Sequence, residues 1–153
     1  MSQLTASTPV VNYASSVNSP SAAPSKAARW AGRVIGGLPA AFLLMDGVMK
    51  LFRPDVVVKA TVELGFSESV IVPLGVVLLA ATVLYLVPRT AVLGAILLTG
   101  YLGGAVCTHV RAANPLFSHV LFPVYLGVLL WLGLYLRDRR VRALLPLRTY
   151  CAA

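Results

Sequence analysis

The sequence predicts an all-α protein that crosses a lipid bilayer four times, with a short interfacial helix between spans 1 and 2. Apolar residues make up 58% of the 153-residue chain and charged residues only 12%, about half the charged fraction of a soluble domain. Four apolar runs of 18–20 residues follow one another along the chain. The basic residues stand in short clusters beside these runs, as residues that orient membrane spans do.

The four runs cover residues 34–52, 70–87, 91–110 and 117–136. About 20 residues at 1.5 Å per residue match a hydrocarbon core of about 30 Å. In lipid every backbone N–H and C=O must be paired, and four strands cannot close a barrel, so these runs are expected to be helices. Pro123, well inside the fourth run, predicts a kink there.

The segments outside the spans divide the chain further. Residues 1–29 are rich in Ser, Pro and Ala and lack periodicity, which predicts a disordered tail. Residues 30–147 form the predicted membrane domain, and residues 148–153 a C-terminal tail. Residues 54–66 begin with Pro54 and Asp55 and contain Gly65, which predicts a short helix lying at the interface.

The distribution of Lys and Arg predicts the orientation. Nine lie on the side of the two termini and four on the other side, so both termini are predicted to be cytoplasmic, in a plasma (inner) membrane. Aromatic residues on the richer side, Tyr85 and Trp131 among them, predict an interfacial belt. The net charge of +8 is explained by this clustering, and no basic patch typical of nucleic-acid binding is present.

Ionisable and polar residues converge at one depth on the poorer side. Charged groups inside spans usually face the protein interior or a water-filled cavity. The sequence therefore predicts a small ligand-binding pocket at the outer face. Its candidate residues are Asp46, Lys50, His109, Arg111, Asn114 and His119.

Several of these candidate residues have more than one interpretation. Asp46 and Lys50 are four residues apart in the order that favours a helical ion pair, so a purely structural pair competes with a ligand-binding or proton-handling Asp46. His109 and His119 could ligate haem or a metal ion, although hydrogen-bonded histidines are the favoured interpretation. No metal site, cofactor or catalytic residue is predicted, and quinone and haem remain the alternatives considered.

A glycine pair in the third run predicts close helix packing. Gly100 and Gly104 form a G-x-x-x-G pattern on one stripe of the helix, and such small residues let membrane helices approach each other. The expected contact is with a neighbouring helix of the bundle or with a second copy.

The segment GVMKL at 47–51, the run TGYLGGAVCTHVR at 99–111, NPLF at 114–117 and Pro123 together resemble the DoxX-like family of small four-span membrane proteins. Where that family usually has Ala before Thr-His, this chain has Cys107. The resemblance implies a four-span fold over about residues 32–147. It also implies an accessory role in quinone-linked redox or thiol metabolism, because the family is named for a membrane subunit of a thiosulfate:quinone oxidoreductase.

Three functions follow as hypotheses. The first is an accessory subunit that binds a small ligand in the outer pocket, with a membrane redox partner or a homo-oligomer as its assembly. The second is a small transporter or channel, which is disfavoured because Asp46 lies near the end of its span and spans two and four have no acid. The third is a structural membrane adaptor. Whether the protein is an enzyme is left open by the sequence.

Overall fold

The computed structural model describes residues 25–144, and these form helices without any strand. Short turns, one of 3-10 type and one of π type, precede α3 and α5. The predicted all-α architecture is confirmed. The helices are α1 (Lys26–Phe52), α2 (Asp55–Glu63), α3 (Ile71–Leu86), α4 (Ala91–Arg111), α5 (Phe122–Arg137) and α6 (Arg139–Leu144), with the turns at Glu68–Val70 and Leu116–Val120.

The first helix begins earlier than the sequence predicted. Residues 26–29, assigned to the disordered tail, form the first turn of α1. Ser25 is the N-cap, and its hydroxyl accepts a hydrogen bond of 3.1 Å from the backbone N–H of Ala28, which satisfies one of the unpaired donors of the helix start. The rest of that predicted tail and the predicted tail at 148–153 lie outside the described residues.

Four helices are long and apolar enough to cross a bilayer. They are Lys26–Phe52, Glu68–Leu86, Ala91–Arg111 and Leu116–Arg137. Each presents large apolar side chains outward, such as Leu38 (70% exposed) and Val128 (59% exposed). A surface of this kind is compatible with lipid rather than water, so the chain is an integral, multi-pass membrane protein.

The four spans form an antiparallel ring in which α1 contacts α3 and α5, and α4 contacts the same two helices. We call the end that carries Lys26 and Arg137 the basic end, and the end that carries Phe52 and Arg111 the cavity end. Val120 closes the π turn, and Pro123 lies in the first turn of α5. The expected kink at Pro123 is therefore a break between two helical segments, at a position where the missing N–H of proline costs little.

Glycines hold the basic end together. A Cβ on Gly133 would lie 2.5 Å from the Cα of Gly36, and one on Gly32 would lie 2.8 Å from the carbonyl oxygen of Gly133. Backbone therefore touches backbone where α1 crosses α5, a contact that only glycine permits.

Tyr85, predicted to belong to an interfacial belt of aromatic residues, has a different environment. It is completely buried, and its hydroxyl donates a 2.9 Å hydrogen bond to the carbonyl of Leu130. The Arg137 guanidinium lies 4.7 Å from the centre of the Tyr85 ring and donates to the Tyr85 carbonyl at 3.0 Å. A buried phenol needs such a partner for its hydroxyl, and the structure supplies it from α5.

The predicted packing role of Gly100 and Gly104 is wrong within the described bundle. A Cβ built on either residue would meet no atom within 4 Å. Both glycines face an open space at the cavity end, because α4 stands away from α1 there while α1 packs closely against α3 through Gly47 and Gly75.

Candidate functional site

The open space at the cavity end is a partly enclosed cavity of about 540 Å³. Helix α2 and the loop after it contribute one wall, and α1, α3, α4 and the start of α5 contribute the others. Most of the lining is apolar, and polar groups enter at a few points. The lining residues are Phe42, Leu43, Asp46, Lys50, Val57, Ala60, Thr61, Leu64, Phe66, Leu74, Gly100, Tyr101, Leu102, Gly104, Ala105, Thr108, His109, Phe122, Pro123 and Leu126.

Asp46 and Lys50 form an ion pair in this lining. The Lys50 Nζ donates to both carboxylate oxygens of Asp46, at 2.6 Å to Oδ1 and 2.5 Å to Oδ2. The side chains are 34% exposed for Asp46 and 15% for Lys50. The predicted pairing of Asp46 is confirmed. Because an unpaired carboxylate at this depth would be costly, the pair lets two charges line an otherwise apolar cavity.

Tyr101 adds a phenol to the cavity lining, which also contains Asp46. Among residues 25–144 its hydroxyl has no hydrogen-bond partner. By contrast, Thr61 and Thr108 donate to carbonyls of their own helices, to Val57 at 2.7 Å and Gly104 at 2.8 Å. Tyr101 therefore brings to the lining a hydroxyl donor that no group of residues 25–144 occupies.

The two histidines contact each other, as the sequence suggested. Their ring centroids are 5.8 Å apart with an interplanar angle of 61°, and of the two only His109 lines the cavity. The Nδ1 of His109 is 2.9 Å from the Asn114 side-chain nitrogen, and the Nδ1 of His119 is 2.8 Å from the Ser118 hydroxyl. Within the described part of the chain, no three His, Cys, Asp or Glu side chains converge on one point.

Arg111 lies against α2 rather than in the cavity lining. Its guanidinium donates a 2.8 Å hydrogen bond to the carbonyl of Leu64, the C-cap residue of α2. The next residue, Gly65, has a φ of +84°, a backbone conformation that favours glycine. A cation at the carbonyl end of a helix is favourable, so Arg111 stabilises the position of α2 in the wall of the cavity.

An ion pair joins the segments that precede and follow α2. Arg53 caps the end of α1 in the left-handed conformation, and its guanidinium is 2.9 Å from Glu68. The short helix predicted at 54–66 is observed as Asp55–Glu63. Arg111 contacts its C-terminal end, and the Arg53–Glu68 pair connects the residues on either side of it.

Of the six predicted site residues, the structure brings Asp46, Lys50 and His109 to the cavity. Asn114 and His119 contact His109 from outside the lining, and Arg111 contacts the end of α2. Cys107 is exposed and does not line the cavity.

A sequence model described as the DoxX-like family matches residues 34–133, about two thirds of the chain. The chain belongs to the DoxX-like family. The resemblance inferred from the sequence is thereby confirmed. No curated protein and no solved structure matches the chain.

The match to the DoxX-like family contains the whole cavity lining, from Phe42 to Leu126. It ends before Arg137 and α6, and it begins after the first two turns of α1. The cavity is therefore built from the part of the chain that defines the family, whereas the Arg-rich exit of the last span lies outside it.

Sequence reasoning missed the polar residues that are not ionised at neutral pH. Tyr101 and Thr108 lie on α4, and Thr61 lies on α2, and all three line the cavity. The available signal was spacing, since Gly100, Gly104 and Thr108 recur every four residues on the stripe that was assigned to packing. A stripe of small and hydroxyl residues fits a cavity wall as well as a helix contact.

Proposed function

We propose that this protein binds a small lipophilic molecule with a hydrogen-bond-accepting head in the cavity, and that it acts as an accessory membrane subunit in quinone-linked redox or thiol metabolism. The observation that carries the proposal is that the Asp46–Lys50 pair and Tyr101 line the same largely apolar cavity. Among residues 25–144 the Tyr101 hydroxyl has no hydrogen-bond partner.

The size and lining of the cavity support a small organic ligand. Binding cavities for such ligands measure about 300–1,000 Å³ and are mostly apolar with few polar groups, and this one is about 540 Å³. Phe42 and Phe122 meet edge to face with centroids 5.4 Å apart, and both line the cavity. Aromatic and aliphatic walls of this kind favour a flat apolar ring.

The polar groups support a head that accepts hydrogen bonds. Lys50 has three N–H donors, of which Asp46 does not occupy all, and Tyr101 offers its O–H. Two donors in one apolar cavity complement a molecule with carbonyl oxygens on a ring. A quinone has this chemistry, and lipophilic quinones reside in the bilayer that surrounds the helices of the cavity.

The redox assignment follows the family resemblance and makes the protein a binding subunit. In this role the chain would present the lipophilic molecule to a partner that performs the chemistry. Asp46 and Lys50 would orient the head, and Phe42 and Phe122 would exclude water around it.

The test uses full-length protein in lipid nanodiscs and a tailless dimethoxy-methyl-benzoquinone as the probe. Wild-type protein should bind the probe above the background of empty nanodiscs. Asp46→Asn and Asp46→Leu should both lose that binding while the bundle still folds, as judged by helical circular dichroism. Glu63→Gln is the matched control, because Glu63 is an exposed acid outside the lining, and it should bind like wild type.

Two outcomes would contradict the proposal. Wild-type protein that binds no probe would leave the ion pair as a structural feature of a membrane adaptor. Binding that survives in both Asp46 variants would place the probe elsewhere on the protein.

A further inference from the structure

A second apolar space lies on the membrane-facing side of the bundle, between α4 and α5. It is a groove of about 660 Å³. Its walls include Gly103 and Val106 from α4 and Val128 and Leu132 from α5. Towards the basic end the two helices are bridged by a 2.9 Å hydrogen bond from the Trp131 Nε1 to the Thr99 hydroxyl. The groove therefore follows the seam of these helices from the first turn of α5 towards the basic end.

The groove and the inner cavity share a wall. Leu102 and Pro123 line both spaces, so these two residues belong to that wall. Near this wall, few side chains occupy the space between α4 and α5. A Cβ on Gly103 would meet no atom within 4 Å, and the nearest neighbour of one on Gly127 is the Leu102 Cδ1, at 3.7 Å.

The neighbouring seam, between α1 and α5, is built differently from the α4–α5 seam. Where α1 crosses α5, glycine backbone touches glycine backbone, and no space remains. Glycines at the α4–α5 seam leave room instead of closing it. Leu102 lies at the shared wall of the two spaces, and a leucine side chain has more than one staggered rotamer.

We infer that the ligand of the cavity carries an apolar tail, which passes between Leu102 and Pro123 and lies in the α4–α5 groove. This inference rests on the proposed function, and it adds that the ligand is a single-tailed lipid with a small polar head. The head lies at the depth of Asp46, near the end of the bundle, and the tail runs towards the bilayer centre. That is the orientation an amphipathic molecule already has in a leaflet, so the ligand enters sideways without leaving the membrane.

The experiment compares two probes on the same protein in nanodiscs. One is the tailless dimethoxy-methyl-benzoquinone, and the other is the same quinone with a decyl tail. Gly103→Leu fills the groove, and Gly37→Leu is the matched control, because Gly37 also has open space around it but lies on α1 away from both spaces. Binding is measured by equilibrium retention, with empty nanodiscs subtracted.

Gly103→Leu should weaken binding of the decyl probe about tenfold, the order that overfilling a site costs, and should leave the tailless probe unchanged. Gly37→Leu should bind both probes like wild type. Should Gly103→Leu fold poorly, Val128→Phe fills the same groove from α5, and Val76→Phe on α3 is its control, since both valines are more than half exposed.

The outcomes separate this inference from the proposed function. If the tailless probe binds through Asp46 but groove-filling variants bind the decyl probe like wild type, the tail path is wrong and the proposed function stands. If neither probe binds wild-type protein, both are wrong. Groove-filling variants that weaken both probes equally would also overturn the tail path, since the groove would then not distinguish tail from head.

Discussion

Asp46 shows how one residue sets the chemistry of the cavity end. It lies six residues before the end of α1 at Phe52, about 9 Å along the helix axis. Its short side chain cannot reach the headgroups as that of a lysine can. Lys50 is one helical turn further on and brings its ammonium back to the carboxylate. The pair keeps two charges at a depth where one alone would be unfavourable.

This pairing predicts unequal effects of single and double changes. Asp46→Leu leaves Lys50 without its partner, and we expect it to destabilise the protein by about 1 kcal/mol, a moderate value because the pair is partly exposed. The double variant Asp46→Leu/Lys50→Leu should recover most of this loss. Thermal unfolding in detergent measures both, and a double variant that is less stable than either single variant would contradict the account.

Two tyrosines in neighbouring helices predict a second contrast at this scale. Tyr85→Phe removes the hydrogen bond to the Leu130 carbonyl and should cost about 1–2 kcal/mol, because that buried acceptor loses its donor. Tyr101→Phe removes a hydroxyl that has no partner within the described residues, so the melting temperature should stay close to that of wild type. Equal losses in the two variants would show that the Tyr101 hydroxyl is also engaged.

At the scale of the helices, glycine serves two opposite purposes. Gly32, Gly36 and Gly133 bring α1 and α5 into backbone contact at the basic end. Gly100 and Gly104 leave α4 bare where it faces the cavity. The same pattern of small residues four apart therefore closes one seam and opens a space at another, and the difference lies in what the neighbouring helix presents.

This difference predicts the results of alanine substitution. Gly133→Ala places a methyl group 2.5 Å from the Gly36 Cα, and we expect a loss of about 1–3 kcal/mol because backbone cannot move aside easily. Gly104→Ala meets open space and should be neutral or stabilising by up to about 1 kcal/mol, since alanine favours a helix over glycine. Melting temperatures in detergent measure both effects. A strongly destabilised Gly104→Ala would contradict the open space around Gly104 and would support its predicted role in helix packing.

At the scale of the whole molecule, the two ends of the bundle have different characters. The basic end is closely packed and carries the Arg137 interaction with Tyr85. The cavity end carries the ion pair, the paired histidines and α2, which Arg111 and the Arg53–Glu68 pair hold over the opening. Close packing at one end of the bundle thus contrasts with an open cavity at the other.

The charge asymmetry between the ends predicts the orientation. With nine basic residues on the side of the termini and four on the other, the cavity end should face the outside and both termini the cytoplasm. A single cysteine at the exposed Ser67, in a background with Cys107 and Cys151 replaced by Ala, should react with a membrane-impermeant reagent added to intact cells. Lysed cells provide the positive control, and protection in intact cells alone would reverse the orientation.

The amino-acid sequence by itself determined the membrane-spanning fold. The lengths of the four runs and their low content of charged residues require helices, because lipid offers no partner for an unpaired backbone group. Local spacing also determined the Asp46–Lys50 pair and the short helix α2, since both depend on residues within one or two turns of each other. The start of α1 was placed too late because a single N-cap serine gives a weak signal.

The tertiary structure decided which residues meet across helices. Gly36 and Gly100 look alike in the sequence, yet one meets the backbone of α5 and the other faces a cavity. Tyr85 and Tyr101 likewise look alike in the sequence, yet the Tyr85 hydroxyl meets the Leu130 carbonyl, whereas Tyr101 lines the cavity. The physical reason is that helical periodicity specifies the face on which a residue lies, whereas the distance to the helix across from that face depends on how all four spans pack together.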